Sequence, residues 1–155
     1  MKWLLEEWFS HFENIGDPSR RKLMALALTK LLESQSDVIM VSLQSLMTVW
    51  TDVVTELREG AEDAAGGAAV DANSDSLVYG APDQAANPYE APEDVRRRNL
   101  TYSDEVHTVN LPINIREHLQ STIAACGGAD AFQEQWMVNV DKEVITAFTG
   151  LGIMS

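Results

Sequence analysis

Apolar residues recur at intervals of three and four positions through residues 2–59, which is the period of an amphipathic helix. The spacing predicts three helices, over Trp3–Glu13, Pro18–Glu33 and Asp37–Glu59. Asp17 is a good N-cap for the second helix, and proline suits a first turn because the N–H groups there have no intrahelical partner. The predicted buried positions are Leu5, Trp8, Phe9 and Phe12 in the first helix, Leu23, Leu26, Ala27, Leu31 and Leu32 in the second, and Ile39, Leu43, Leu46, Met47, Trp50, Val53, Val54 and Leu57 in the third.

The third predicted helix also carries a polar stripe along its other side, and this stripe is interrupted only at Val41. Two helices and their turn, from Asp17 to Glu59, fill roughly the 40–47 residues of one HEAT-type repeat. Residues 1–59 are therefore expected to hold about one and a half HEAT-type helix pairs. The polar positions of the stripe are Asp37, Ser45, Thr48, Asp52, Thr55 and Glu59.

The composition changes sharply after Gly60, where Ala, Gly, Asp, Asn and Pro dominate as far as about Asp94. Such a segment cannot bury enough apolar surface to offset the entropy lost on ordering. We therefore expect a long, disordered, acidic loop over residues 60–100, which ends in the basic run Arg96-Arg97-Arg98.

Helical spacing resumes near Val106, and residues 101–155 are expected to form C-terminal capping helices. One helix opens at Asn110–Pro112, a second at about Ala129, and a third after Asp141 as its cap. The last residues, 150–155, are expected to fray. Because no alternating pattern typical of a strand is present, the fold class is predicted to be all-α, built as an α-solenoid of antiparallel helix hairpins.

Charge limits the kinds of partner that the chain can have. The formal net charge is −13 and the isoelectric point is about 4.4. This argues against nucleic acid, since phosphate binding needs clustered cations, and it favours basic protein partners. No apolar run is long enough to cross a membrane, and a single cysteine, Cys126, favours a reducing compartment.

No arrangement of residues points to an enzyme, a cofactor or a metal. The three histidines stand far apart and outside any paired metal-ligand pattern. Cys126 falls on the apolar face of its predicted helix, where a packed thiol is the simpler interpretation than a nucleophile. The glycine-rich segments lack the lysine and hydroxyl residue of a phosphate loop.

Two basic clusters and one aromatic residue are the candidate partner-binding residues. Cations near a helix N-terminus oppose the helix dipole, so Arg20, Arg21 and Lys22 form either a solvated helix start or a docking patch for an acidic partner. The run Arg96, Arg97 and Arg98 is a nuclear localisation signal, an internal partner for the acidic loop, or a solvated join. Trp8 belongs either to the core or to a binding platform.

Three motifs, in order along the chain, resemble the C-terminal region of the importin-β superfamily of nuclear transport receptors, and in particular the importin-eleven branch and its fungal counterparts. The first is W-F-x-x-F-x-N-I followed by proline and R-R-K-L-x-A-L-A-L. The second is the segment D-E-V-H-T-V-N-L preceded by the basic run. The third lies near the end of the chain. They occupy residues 8–28, 96–111 and 132–144.

The resemblance implies a C-terminal fragment of a HEAT-repeat import receptor several times longer than this chain. Its implied role is to contribute cargo binding and to cap the solenoid, with basic proteins as cargo. FG nucleoporins and the Ran GTPase are implied partners through the full-length receptor, which shuttles between nucleus and cytoplasm. The family implies no catalytic residue and no cofactor.

Two other functions are compatible with the same residues. The chain could be an acidic binding module, a chaperone for basic proteins such as ribosomal or histone-like proteins, with the loop as its active part. It could also serve only the stability of a scaffold. If a neighbouring repeat has been removed, Trp3, Trp8 and Phe9 are expected to be exposed, and the chain is expected to self-associate through them.

Overall fold

The structure, a computed structural model, describes residues 2–64, 66–67 and 89–154. Within these residues every regular element is helical, as predicted. The described ranges contain nine α-helices and two single 3₁₀ turns, at Leu32–Ser34 and Met137–Asn139. The α-helices are α1 (Lys2–Phe12), α2 (Pro18–Leu31), α3 (Asp37–Val41), α4 (Leu43–Ala64), α5 (Pro92–Tyr102), α6 (Glu105–Thr108), α7 (Leu111–Ala125), α8 (Ala129–Gln135) and α9 (Lys142–Gly150).

Helix α2 begins as the sequence predicts. The Asp17 side chain accepts a hydrogen bond of 3.0 Å from the backbone N–H of Ser19, and Pro18 is the first helical residue. The helix then tightens into the first 3₁₀ turn and stops at Gln35, whose φ of 49° is in the left-handed region. Asn110 caps α7 in the same way as Asp17, by accepting from the N–H of Ile113 at 3.2 Å.

The predicted third helix is in fact two helices, α3 and α4, so the prediction of one continuous helix was wrong. The helix breaks at Ser42, whose hydroxyl donates to the carbonyl of Val38 at 3.1 Å, and α4 then continues beyond Glu59 to Ala64. The pattern itself is confirmed, because all eight predicted apolar positions are buried. Val41, the interruption in the polar stripe, is 72% exposed.

Helix α4 is the centre of the core. It packs against α2 and α9 and also contacts α1, α3 and α7, while α2 contacts α7 and α6 on other sides. Trp50 of α4 is fully buried, and its ring lies 5.9 Å from that of Phe148 in α9 at an angle of 42°. One continuous apolar core therefore joins the first three predicted helices to the last ones.

The buried face of α2 differs from the prediction. Leu23 is 54% exposed, and the fully buried positions are Lys22, Ala25, Leu28 and Thr29. Sequence spacing places a leucine-rich stripe inward, but α2 is surrounded by α4, α6 and α7, which together set its orientation. A lysine and a threonine therefore take core positions.

Residues 151–154, which follow α9, are ordered and tied down, so the expectation that they fray was wrong. Leu151 and Ile153 are buried. Arg58 of α4 donates to the carbonyl of Leu151, and Arg116 of α7 donates to the carbonyls of Gly152 (3.2 Å) and Ile153 (2.9 Å). Arginines at the end of a helix also interact favourably with its dipole.

The predicted loop is too long at both ends. Residues 60–64 form the last turn of α4, and residues 92–102 form α5, which contains the basic run. Because Glu93 and Asp94 lie in the first turn of α5, the helix dipole is complemented there. The expected disorder falls largely on residues 65 and 68–88, which lie outside the described residues and where it stays a prediction.

Candidate partner-binding residues

The cluster Arg20-Arg21-Lys22 does not form one patch. Arg20 is exposed, with its Nε 3.5 Å from the Oδ2 of Asp17 one turn earlier. Exposed pairs of this kind contribute little to stability, about 0–1 kcal/mol. Of the three cations, Arg20 is therefore the one that remains available to a partner.

Arg21 is an internal counter-ion at the junction of α1, α2 and α4. Its Nε lies 3.2 Å from Oε2 of Glu56, and its guanidinium sits 4.5 Å from the centre of the Phe12 ring. Partial burial of the Asp52 carboxyl nearby raises its pKa, Arg21 opposes that rise, and Glu13 adds to it. This charge balance explains why a basic residue is stable at a helix N-terminus, where it opposes the dipole.

Lys22 is fully buried, so its assignment to a surface patch was wrong. Its Nζ finds no hydrogen-bond acceptor among the residues that the structure describes. Burial lowers the pKa of this ammonium from 10.5 to about 8. The sequence holds no signal for this burial, because the neighbouring arginines make the whole run look solvated.

The second basic run lies on a helix. Arg96 and Arg97 are exposed on α5, and Nη1 of Arg97 lies 4.0 Å from Oδ1 of Asp94. Arg98 lies in the same helix. Helix α5 contacts α6 and carries the exposed Leu100, so it stands at the edge of the described fold. Most of the predicted acidic loop lies outside the described residues, so pairing of the basic run with that loop stays a prediction.

The tryptophans divide between core and surface. Trp8 is half-buried and packs against the core together with Phe9. Neither side chain is fully exposed, although both were expected to be exposed if a neighbouring repeat had been removed. Trp3 is 70% exposed, and Leu4 beside it is also exposed. Trp50 belongs to the core, and Trp136 is partly buried and packs against it. The exposed apolar surface of α1 is therefore Trp3 and Leu4.

A cleft of about 220 Å³ lies between the end of α2 and α7. His118 of α7 is its most buried titratable side chain, and both of its ring nitrogens have partners. Nδ1 is 2.8 Å from the carbonyl of Asn114, and Nε2 is 3.1 Å from Oε1 of Glu33. No sequence pattern connects Glu33 with His118, which are 85 positions apart. The cleft is lined by Leu32, Glu33, Gln35, Glu117, His118, Ser121 and Thr122.

The described part of the chain has neither a cluster of metal ligands nor a membrane-spanning helix. There, no group of three or more His, Cys, Asp or Glu side chains could hold a metal ion. No helix among those residues combines the length and the apolar character that a membrane span needs. Cys126 is half-buried and packs against the core.

Comparison with known proteins gives a family. The family model described as "Importin-11-like, TPR repeats" matches residues 1–153. The chain belongs to this importin-11-like family. Its repeats are described as TPR, whereas the spacing suggested HEAT-type pairs; both are helix pairs. The pair α2–α4 spans residues 18–64, which is closer to the ~40–47 residues of a HEAT unit than to the ~34 of a TPR unit.

Curated relatives match almost the whole chain. "Importin beta-like protein kap113" of Schizosaccharomyces pombe is 29% identical over 96% of this chain. "Importin-11" of Homo sapiens is 31% identical over 92% of it, and that of Mus musculus 30% over 92%. The chain spans only 14% of the length of each of these relatives. No solved structure matches it significantly.

Proposed function

We propose that this importin-11-like chain is a helical segment of a nuclear import receptor that contributes to binding basic protein cargo. The observation that carries the proposal is the family match over residues 1–153, together with about 30% identity to importin-11 and Kap113 over almost the whole chain. Because the chain spans a seventh of these relatives, its role is that of a part within a longer receptor.

The charge distribution supports basic cargo rather than acidic cargo. The net charge of the chain is −13. Of the three basic residues at the start of α2, Arg21 is paired with Glu56 and Lys22 is buried. The outward side of α4 presents the exposed residues Asp52 and Glu59. A strongly acidic surface attracts basic partners over distances of about 8 Å at physiological ionic strength.

Other roles follow from the longer receptor that we propose. FG nucleoporins and the Ran GTPase would act on the full-length receptor, which would shuttle between nucleus and cytoplasm. Within it, this segment would lie at the C-terminal end and cap the solenoid, since the last repeat needs a polar outer face. The polar stripe of α3 and α4 supplies such a face.

A chimeric receptor tests the proposal. In fission yeast, the matching segment of Kap113 is replaced by this chain, and nuclear entry of a protein that depends on Kap113 is measured. We expect the chimera to restore nuclear accumulation of that protein. The matched control carries Trp50→Asp, which places a charge in the core and should abolish the rescue. A chimera that is stable and abundant but gives no import would contradict the proposal.

The alternative, an acidic chaperone, depends on residues between α4 and α5. Deleting residues 68–88 from the chain separates the two functions. A receptor segment keeps its fold, measured by thermal unfolding, and most of its affinity for a basic protein, measured by calorimetry. A chaperone keeps the fold but loses that affinity.

A further inference from the structure

Helix α5 carries a basic and apolar face that the described fold leaves uncovered. Leu100 comes four positions after Arg96 and three positions after Arg97, and residues at these spacings are neighbours on the surface of a helix. Both arginines are exposed, and Leu100 is 63% exposed. The three residues together are called the α5 face. It presents a leucine flanked by two arginines.

The other sides of α5 are held only weakly by the described fold. Among the described side chains of this helix only Val95 is partly buried, and α6 is the helix that α5 contacts most. Helix α5 has 11 residues, and isolated helices shorter than about 12–15 residues are marginally stable in water. A partner that packs on the α5 face would therefore supply burial that this helix lacks.

The positive charge of the α5 face is opposite in sign to the charge of the whole chain, which is −13. The side chain of Arg97 is 75% exposed, and its pairing with Asp94 is long, at 4.0 Å. Several cations of the other helices are instead used within the fold, by ion pairing, by burial or by binding the carbonyls that follow α9. These are Arg21, Lys22, Arg58 and Arg116.

The acidic residues of α5 lie at the opposite end of the helix from Leu100. Glu93 and Asp94 occupy the first turn, where they complement the helix dipole. At 1.5 Å per residue they lie roughly 9–10 Å from Leu100 along the helix axis. Because the arginines stand between them and Leu100, the charges of this helix that are nearest to Leu100 are positive.

We propose that the α5 face docks an acidic segment of another protein, whose carboxylates pair with Arg96 and Arg97 and whose apolar side chain packs on Leu100. Guanidinium groups suit carboxylates because they can donate two parallel hydrogen bonds to one of them. Nucleic acid is a poorer match, since a chain of net charge −13 repels a polyanion that needs many cations. The proposal goes beyond the binding of basic cargo and does not depend on it.

Selection of peptides tests which partner the α5 face prefers. Random peptides of about twelve residues, displayed on phage, are selected on the whole chain at physiological ionic strength, where charges more than about 8 Å away are largely screened. Peptides that also bind the double variant Arg96→Glu/Arg97→Glu are removed. We expect the remaining peptides to be rich in Asp and Glu and to contain a large apolar residue. Basic peptides, or no enrichment over the support alone, would overturn the proposal.

The affinity of one selected peptide, measured by fluorescence anisotropy, tests each residue of the face. Arg96→Glu and Arg97→Glu should each weaken binding by about tenfold or more, because a like charge then faces the carboxylates of the peptide. Leu100→Ser should weaken it by about threefold to tenfold through lost apolar burial. An affinity unchanged in Leu100→Ser would overturn the packing of an apolar side chain on this residue.

The matched control is Arg20→Glu. Arg20 is also exposed and also lies one turn after an aspartate, Asp17, and its replacement changes the net charge by the same amount. We expect it to leave the affinity unchanged. A loss equal to that of Arg97→Glu would mean that only the net charge counts, which would overturn the proposal. Thermal unfolding of all variants should match the wild type, since every replaced side chain is exposed.

NMR of the wild type with the same peptide shows whether α5 binds as a helix. We expect the backbone resonances of residues 92–102 to shift on binding and to keep helical chemical shifts. Conversion of these residues to extended chemical shifts would mean that the basic run is recognised as a linear signal, and would overturn docking on a helical face. Tighter binding of a short single-stranded DNA than of the acidic peptide would overturn the choice of a protein partner.

Discussion

The buried lysine at position 22 gives a prediction with a defined size. Lys22 has no exposed surface, and burial lowers the pKa of its ammonium from 10.5 to about 8. Each unit of pKa corresponds to about 1.4 kcal/mol, so keeping this side chain charged in the fold costs about 3 kcal/mol at neutral pH. Lys22→Met has a similar shape and no charge. We therefore expect it to be more stable than the wild type by about 3 kcal/mol at pH 7.

The pH profile gives a second test of the same reasoning. Between pH 8 and 10.5 the unfolded chain binds more protons at Lys22 than the folded chain, so wild-type stability rises with pH there. The advantage of Lys22→Met should therefore be constant below pH 8 and shrink toward zero as the pH approaches 10.5. Urea unfolding followed by circular dichroism at several pH values measures both quantities.

The control for this experiment is Lys142→Met. Lys142 is exposed on α9, and its replacement should change stability by no more than about 0.5 kcal/mol at any pH. The reasoning would be refuted if Lys22→Met were less stable than the wild type at pH 7. That result would mean that the ammonium has an acceptor in the folded chain and is stabilised by it.

Three other variants test the termini and the turn of the fold. Ile153→Ala should destabilise the chain by about 2–4 kcal/mol in urea unfolding, because Ile153 is fully buried; a loss below 0.5 kcal/mol would mean that the segment after α9 frays after all. Gln35→Gly should stabilise the chain by roughly 0.5–1 kcal/mol, since glycine adopts a φ of 49° without strain. In calorimetric melting, a lower melting temperature for Gln35→Gly than for the wild type would mean that this backbone conformation is not strained for glutamine. Trp3→Glu should reduce self-association in light scattering, because Trp3 is the most exposed tryptophan, whereas a concentration-independent mass in the wild type would contradict this prediction.

Local patterns in the sequence were sufficient to predict the positions of most of the helices. Asp17 caps α2 as predicted, and Asn110 lies at the predicted start of α7, because capping depends on residues two or three positions away. The apolar stripe from Ile39 to Leu57 is buried throughout, because a helix with one wide apolar side has only one way to face a core. The motifs around α1, α2 and α6 also carried enough information to indicate the family, which the family match confirmed.

What the sequence could not determine depends on which helices are neighbours. Lys22 is buried because α4, α6 and α7 surround α2, and no local pattern indicates that arrangement. Arg58 and Arg116 order the segment after α9 from two other helices, so its end looks frayed in sequence and is fixed in the fold. The pairing of Glu33 with His118 bridges 85 positions. Capping and periodicity act within one or two turns of a helix, whereas the environment of a charge is set by every element packed around it, and only the tertiary structure brings those elements together.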